Sequence, residues 1–179
     1  WIGNLRLVLD VEVQGGKASA AKHSLPRLCR VLERLAPEER PTLVRGDNAF
    51  GTEGVMLEME ALGQRYLFKL RLTKNVKRYI ERSFASGQWC DAGQGWQAQE
   101  GMIQLMGWSR ARRIVILRRP LQGEVLLRDE QQLRLAFVEK DVPAKGYEYA
   151  VLVTDLAYDM LAIAQLYRDR GEMVAPWLR

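Results

Sequence analysis

The residues best suited to do chemistry are a single aspartate and a short polar segment near the end of the chain. Asp47 follows a short apolar run, Thr42-Leu43-Val44, that stops at Arg45-Gly46-Asp47, and a helical pattern starts beyond it at Thr52. In open α/β sheets ligands gather at the carboxyl ends of strands, near a topological switch point, and a carboxylate there can hold a divalent cation. A plain turn or capping aspartate would look the same, so spacing alone leaves both readings open. The second segment is Tyr167-Arg168-Asp169-Arg170-Gly171-Glu172, in which Tyr167 and Arg170 lie three apart and share a helix face. An arginine there suits bidentate contact with a phosphate. A helix end steadied by terminal charges would have the same composition.

The formal net charge is +5, and the excess is concentrated. Residues 65–82 carry Arg71, Lys74, Lys77 and Arg78 among seven basic residues, with Glu81 as the one acid. A second cluster joins Arg110, Arg112, Arg113, Arg118 and Arg119 with no acid between them. Such stripes suit a phosphate-lined partner, because each neutralised phosphate releases counterions. Both clusters are therefore expected to face DNA, the alternative being a solvated basic surface. His23 is the one histidine, and a lone histidine more often caps or decorates a surface than catalyses. Trp89, Trp96 and Trp108 could stack on a base, although core packing is the plainer role.

These residues need a scaffold, and hydrophobic patterning supplies its outline. Alternation of Leu5, Leu7, Leu9, Val11 and Val13 with polar residues predicts a half-buried strand closed by Gly15-Gly16. Ser24 is the expected cap of a helix with Pro26 in its first turn and Leu25, Leu28, Leu32 and Leu35 on its apolar face. A short strand ends at Asp47, and a helix opens at Thr52 and closes at Gly63. A strand over 66–72 and a short basic helix over 73–81 come next. Strand signals then dominate, at 102–108, 113–117, 125–127, 133–138 and 149–154, before a last helix over 159–171.

At 179 residues and 47% hydrophobic the chain is long and apolar enough for a real core. No apolar run approaches the roughly 20 residues of a membrane-spanning helix. Cys29 and Cys90 are too few for a disulfide framework and lack metal-ligand spacing. A cytoplasmic, nucleoid-associated protein without membrane contact is expected. The start at Trp1 and the stop at Arg179 both read as cut ends.

The run Arg45-Gly46-Asp47-Asn48-Ala49-Phe50-Gly51, the helix after it and the stretch from Gly63-Gln64-Arg65-Tyr66 to Leu72-Thr73 resemble the second-aspartate region of DDE transposases of the insertion-sequence-four group. Leu9-Asp10-Val11-Glu12-Val13-Gln14-Gly15-Gly16 and Val153-Thr154-Asp155-Leu156 resemble that group too, so the similarity covers nearly the whole chain. The resemblance implies an α/β, RNase H-like mixed sheet with helices on both faces and a β-rich insertion before the last helix. Residues 1–72 would be the core without its first strands, 73–150 the insertion, and 151–179 the return to the core.

It also implies DNA strand cleavage and strand transfer in the intact protein, a dimer on DNA, with two Mg2+ or Mn2+ ions held by three carboxylates. Asp47 is the metal ligand this mapping provides, at the end of a central strand within reach of the last helix. The first catalytic aspartate would precede Trp1, and Asp10 falls instead on the third strand. The family's last helix carries Tyr, two residues, Arg, three residues, Glu, six residues, Lys. Tyr167 and Arg170 match, Val174 stands at the glutamate, and the lysine position lies past Arg179. Glu172 is the nearest acid, turned by roughly 200° of helix from that position. The chain by itself is expected to be inactive. Two other readings stand beside this one, a non-catalytic DNA-binding remnant of the same fold and an unrelated basic α/β nuclease.

Overall fold

The structure, a computed structural model, describes residues 20–86, 88–121 and 146–172. The expected strands over 5–13, 125–127 and 133–138, with Asp10 and Val174, lie outside the described residues. Among the described residues four α-helices and six strands follow one another as α1 (Ala20–Arg34), β1 (Val44–Gly46), α2 (Glu53–Ala61), β2 (Tyr66–Lys69), α3 (Lys74–Ser86), β3 (Cys90–Gly93), β4 (Trp96–Ile103), β5 (Arg112–Pro120), β6 (Tyr147–Thr154) and α4 (Met160–Glu172).

The strands form one sheet in the order β1-β2-β6-β5-β4-β3. Among the described strands only β1 and β2 are parallel, with Val44 opposite Tyr66 and Gly46 opposite Phe68. A parallel pair needs a crossover, and α2 provides it. From β2 outward every pair is antiparallel. The strands of the β-rich stretch thus continue the sheet that begins with β1 and β2.

Side-chain alternation divides the core in two. Tyr66, Phe68, Ile114, Ile116, Val151 and Val153 face α1, α2 and α3, which contribute Leu32, Met56, Met59 and Ile80. Leu67, Val115, Leu117, Ala150 and Leu152 face the other way, where Ile163 and Ala164 of α4 are fully buried. Strands buried on both sides read as continuous apolar runs, as β5 and β6 do. The alanines Ala92, Ala98 and Ala150 lie in this second cluster and leave room for α4. Helices therefore cover both faces of a mixed sheet.

Several boundaries differ from expectation. α1 begins at Ala20, so Ser24 and Pro26 lie inside it; the alanine-rich approach favours helix strongly enough to carry it past the proline. β4 starts at Trp96, ahead of the expected 102, and pairs with β3 through a two-residue turn, Gln94-Gly95, with φ of 54° and 76°. Positive φ at both central residues matches the twist of a hairpin. Among the described residues β1 is the outermost strand, and the strand expected over 5–13 lies outside them.

Candidate active site

Asp47 is exposed and directly follows β1. Its Oδ1 accepts the backbone N–H of Ala49 at 2.9 Å, and its carbonyl accepts that of Phe50 at 3.1 Å, which turns the chain sharply toward α2. The glycines on either side are dictated by close packing. A Cβ on Gly46 would stand 2.7 Å from that of Phe50, whose ring packs against Phe68 with centroids 6.2 Å apart. A Cβ on Gly51 would stand 2.4 Å from the Lys69 carbonyl at the end of β2. The Arg45–Gly51 segment is therefore a folded-back loop locked between the ends of β1 and β2, and Asp47 projects from it.

The last helix is brought to the same strand. Asp159 caps α4 by accepting the N–H groups of Leu161 and Ala162 at 2.9 and 3.0 Å. Farther along, Arg45 reaches from β1 and donates to the Leu166 carbonyl at 2.5 Å. Arg168 in turn donates to the Ala92 carbonyl on β3. The half of α4 that carries Tyr167 is thus held from both edges of the sheet. Tyr167 is half-buried against the second core cluster. Arg170 and Glu172 belong to the last turn of α4, and their side chains lie outside the described residues.

The expected DNA contacts separate into two groups. Arg71, Lys74 and Arg78 are exposed, whereas Lys77 is half-buried and already has a partner. Arg112 and Arg113 do not present a surface to DNA. Arg112 is 3% exposed and bonds Glu53 at 2.5 Å and Glu60 at 3.0 Å, both on α2. Arg113 bonds Glu100 at 2.7 Å and donates to the carbonyls of Leu156 and Tyr158. The rest of that cluster is committed as well: Arg110 pairs with Glu60, Arg119 with Glu148, and Arg118 stacks on Trp89 with its guanidinium carbon 3.8 Å from the ring centroid. Trp96 and Trp108 likewise carry Arg119 and Arg112 on their faces. Trp89, Trp96 and Trp108 are thus each covered by an arginine of β5.

Electrostatics follow these pairings. Burial raises the Glu60 carboxyl, but hydrogen bonds from Arg112, Arg110 and Tyr66 outweigh it and leave its pKa lowered. Glu53 behaves alike, its burial outweighed by Ser109 and Arg112. Burial lowers Arg118, which no carboxylate among the described residues contacts, and pushes its neighbour Tyr149 up to about 12.

Among the described residues no three His, Cys, Asp or Glu side chains gather to hold a metal ion. Two divalent cations need several oxygen ligands each, and Asp47 alone does not fit them. What the geometry does provide is a fixed carboxylate at the carboxyl end of a strand, beside a parallel partner, with a helix clamped to the same strand. The family described as transposase DDE domain group 1 matches residues 6–174. The chain belongs to that family. Its mixed sheet with helices on both faces is accordingly the RNase H-like fold of a DDE transposase domain, and DNA is the partner that membership implies. No curated protein matches the chain.

Two features of this DDE domain escaped the sequence reading. Arg45 was legible only as part of a motif, because its acceptor lies 121 residues away and is a backbone carbonyl, which carries no residue signature. Glu53 and Glu60 sit seven apart on α2 and together could have signalled a cation placed between two helical turns.

Proposed function

We propose that the chain is part of the catalytic domain of a DNA transposase of the insertion-sequence-four type, which in its intact form, a dimer on DNA, cuts and joins DNA strands with Mg2+ or Mn2+. Asp47 supplies one metal-ligating carboxylate, and Tyr167 and Arg170 hold DNA close to the phosphate being attacked. Glu172 is the nearest acid in α4 to the third ligand position. The observation that carries this reading is the Arg45 bond to the Leu166 carbonyl, which ties the Asp47 strand to the helix bearing the Tyr–Arg pair in a member of the DDE family. Metal ions would supply Lewis-acid stabilisation of the phosphoryl transfer. Family membership disfavours an unrelated nuclease. A non-catalytic DNA-binding remnant is the second reading, favoured because no three His, Cys, Asp or Glu side chains gather among the described residues.

The test is metal-dependent nicking of a labelled duplex by the chain extended upstream with an aspartate-bearing strand and carrying Val174→Glu. Asp47→Ala in that protein should abolish nicking. Nicking that survives the substitution would remove Asp47 from the centre, and absence of nicking in the extended protein would favour the remnant.

A further inference from the structure

A cleft of about 500 Å³ opens between α3 and the turn that joins β4 to β5, lined by Asn75, Arg78, Glu81, Arg82, Ile103, Gln104 and Leu105. Ile103 belongs to the core, so the floor is rigid, and Gln104 is anchored by its amide nitrogen to the Trp108 carbonyl at 3.1 Å. The turn itself is fastened to α2, where Ser109 bonds Glu53 through both its N–H and its hydroxyl. Lys74, Arg78 and Arg82 recur at every fourth residue and are exposed along one side of α3. Among the described residues none of the three has an ion pair. Arg82 is steadied by donating to the Arg78 carbonyl at 3.3 Å and by standing 5.9 Å from the Tyr79 ring centroid. Glu81 is the only acid in the lining.

We propose that this stripe and cleft bind the phosphodiester backbone of duplex DNA, a role that rests on the DNA-processing function proposed above. Positions four apart on a helix are separated by about 6 Å along its axis, so three cations span about 12 Å. Each strand of B-DNA presents a phosphate every ~3.4 Å of axis, so the stripe meets three or four of them. The contrast with the arginines of residues 110–119 supports the assignment. Those are neutralised by Glu53, Glu60, Glu100 and Glu148 or buried on aromatic rings, whereas Lys74, Arg78 and Arg82 of α3 are exposed and remain available to an external anion.

Backbone contact predicts salt dependence without sequence preference. Anisotropy of a labelled random-sequence duplex, titrated with the full chain over a salt series, gives the slope of log K against log salt. Converting Lys74, Arg78 and Arg82 together to glutamine should weaken binding at least tenfold at 0.1 M salt and reduce the slope by up to about 2.7. A control with Arg110→Gln and Arg119→Gln should change the slope by less than about one, and circular dichroism checks that both variants fold. If the wild-type chain binds but the α3 variant keeps its slope, the surface assignment is overturned while the DNA reading stands. If the wild-type chain shows no salt-dependent binding, both fall.

Discussion

Replacing Arg112 by methionine should cost this domain about 3 kcal/mol. The guanidinium is 3% exposed and the side chains of Glu53 and Glu60 are 18% and 16% exposed, so the substitution strands two largely buried carboxylates. Removing one partner of a buried ion pair typically costs about 3–5 kcal/mol. The lower end applies because Glu60 keeps Arg110 and the Tyr66 hydroxyl, and Glu53 keeps Ser109. For a chain of this size about 3 kcal/mol corresponds to a fall in Tm of about 6–12 °C. Adding Glu53→Gln and Glu60→Gln to Arg112→Met should recover at least half of the loss, since the uncompensated charges are then gone.

The pH dependence has a definite sign. In the wild type the native pKa values of Glu53 and Glu60 lie below the ordinary 4.5, so their stabilisation is complete above 4.5 and is lost as the pH falls through the native values. Without Arg112 that depression shrinks, so the gap between variant and wild type should be full at pH 7 and should narrow below 4.5. Urea unfolding at pH 7 and pH 4 measures it. A gap under about 1 kcal/mol at pH 7, or one that widens in acid, would refute the assignment of Arg112 as a buried counter-ion.

Two glycine substitutions separate packing from backbone strain: Gly51→Ala, driven against the Lys69 carbonyl, should cost about 1–3 kcal/mol. Gly63→Ala, with open space but φ of +63°, should cost about 1 kcal/mol, and thermal unfolding that ranks them the other way would count against the loop geometry described for Asp47. The 179-residue chain as it stands should not nick duplex DNA with Mg2+ or Mn2+, because one carboxylate holds too little charge for two cations. Metal-dependent nicking that Asp47→Ala abolishes would show that acids such as Asp10 or Glu172 complete the centre after all.

The stretch around Asp47 was legible because its signals are local. Gly46 and Gly51 are required by contacts with residues close by in sequence or on the neighbouring strand. Gly63 closes α2 with φ of +63°, while the Gly63 and Gln64 N–H groups return to the carbonyls of Glu60 and Met59. The β3–β4 hairpin was missed: Gln94-Gly95 is its turn, and Gly93 is the last residue of β3. β4 was placed late because polar Gln97 and Gln99 alternate with Ala98 there, a pattern weaker than the apolar run that follows. The arginines at 110–119 were misread for a different reason. Their sign is visible in the sequence, but the partners that neutralise Arg112 lie 59 and 52 residues away, and only the fold brings them together.

The strands after β2 also bear on where the rest of a catalytic centre can come from. β6 bonds the outer edge of β2, and its end is sewn to the start of that strand: the Thr154 hydroxyl donates to the Tyr66 carbonyl at 2.6 Å, and the Asp155 carboxylate accepts the Tyr66 N–H at 2.9 Å. Asp155 is thereby fixed at the amino end of β2, whereas Asp47 leaves the carboxyl end of the parallel strand β1. The aspartate of the Val153-Thr154-Asp155-Leu156 segment therefore serves the sheet and is turned away from the Asp47 end. Glu53, Glu60, Glu100 and Glu148 are held by arginines, and Asp159 is the cap of α4. α4 departs from the end of β6 and returns to β1 through Arg45, so its position relative to Asp47 depends on strands that lie between them in sequence. On the proposed reading the acids that join Asp47 would come from the last turn of this helix or from residues outside those described, since no three His, Cys, Asp or Glu side chains gather among the described residues, and a shift of β5 or β6 would move the helix and alter that approach.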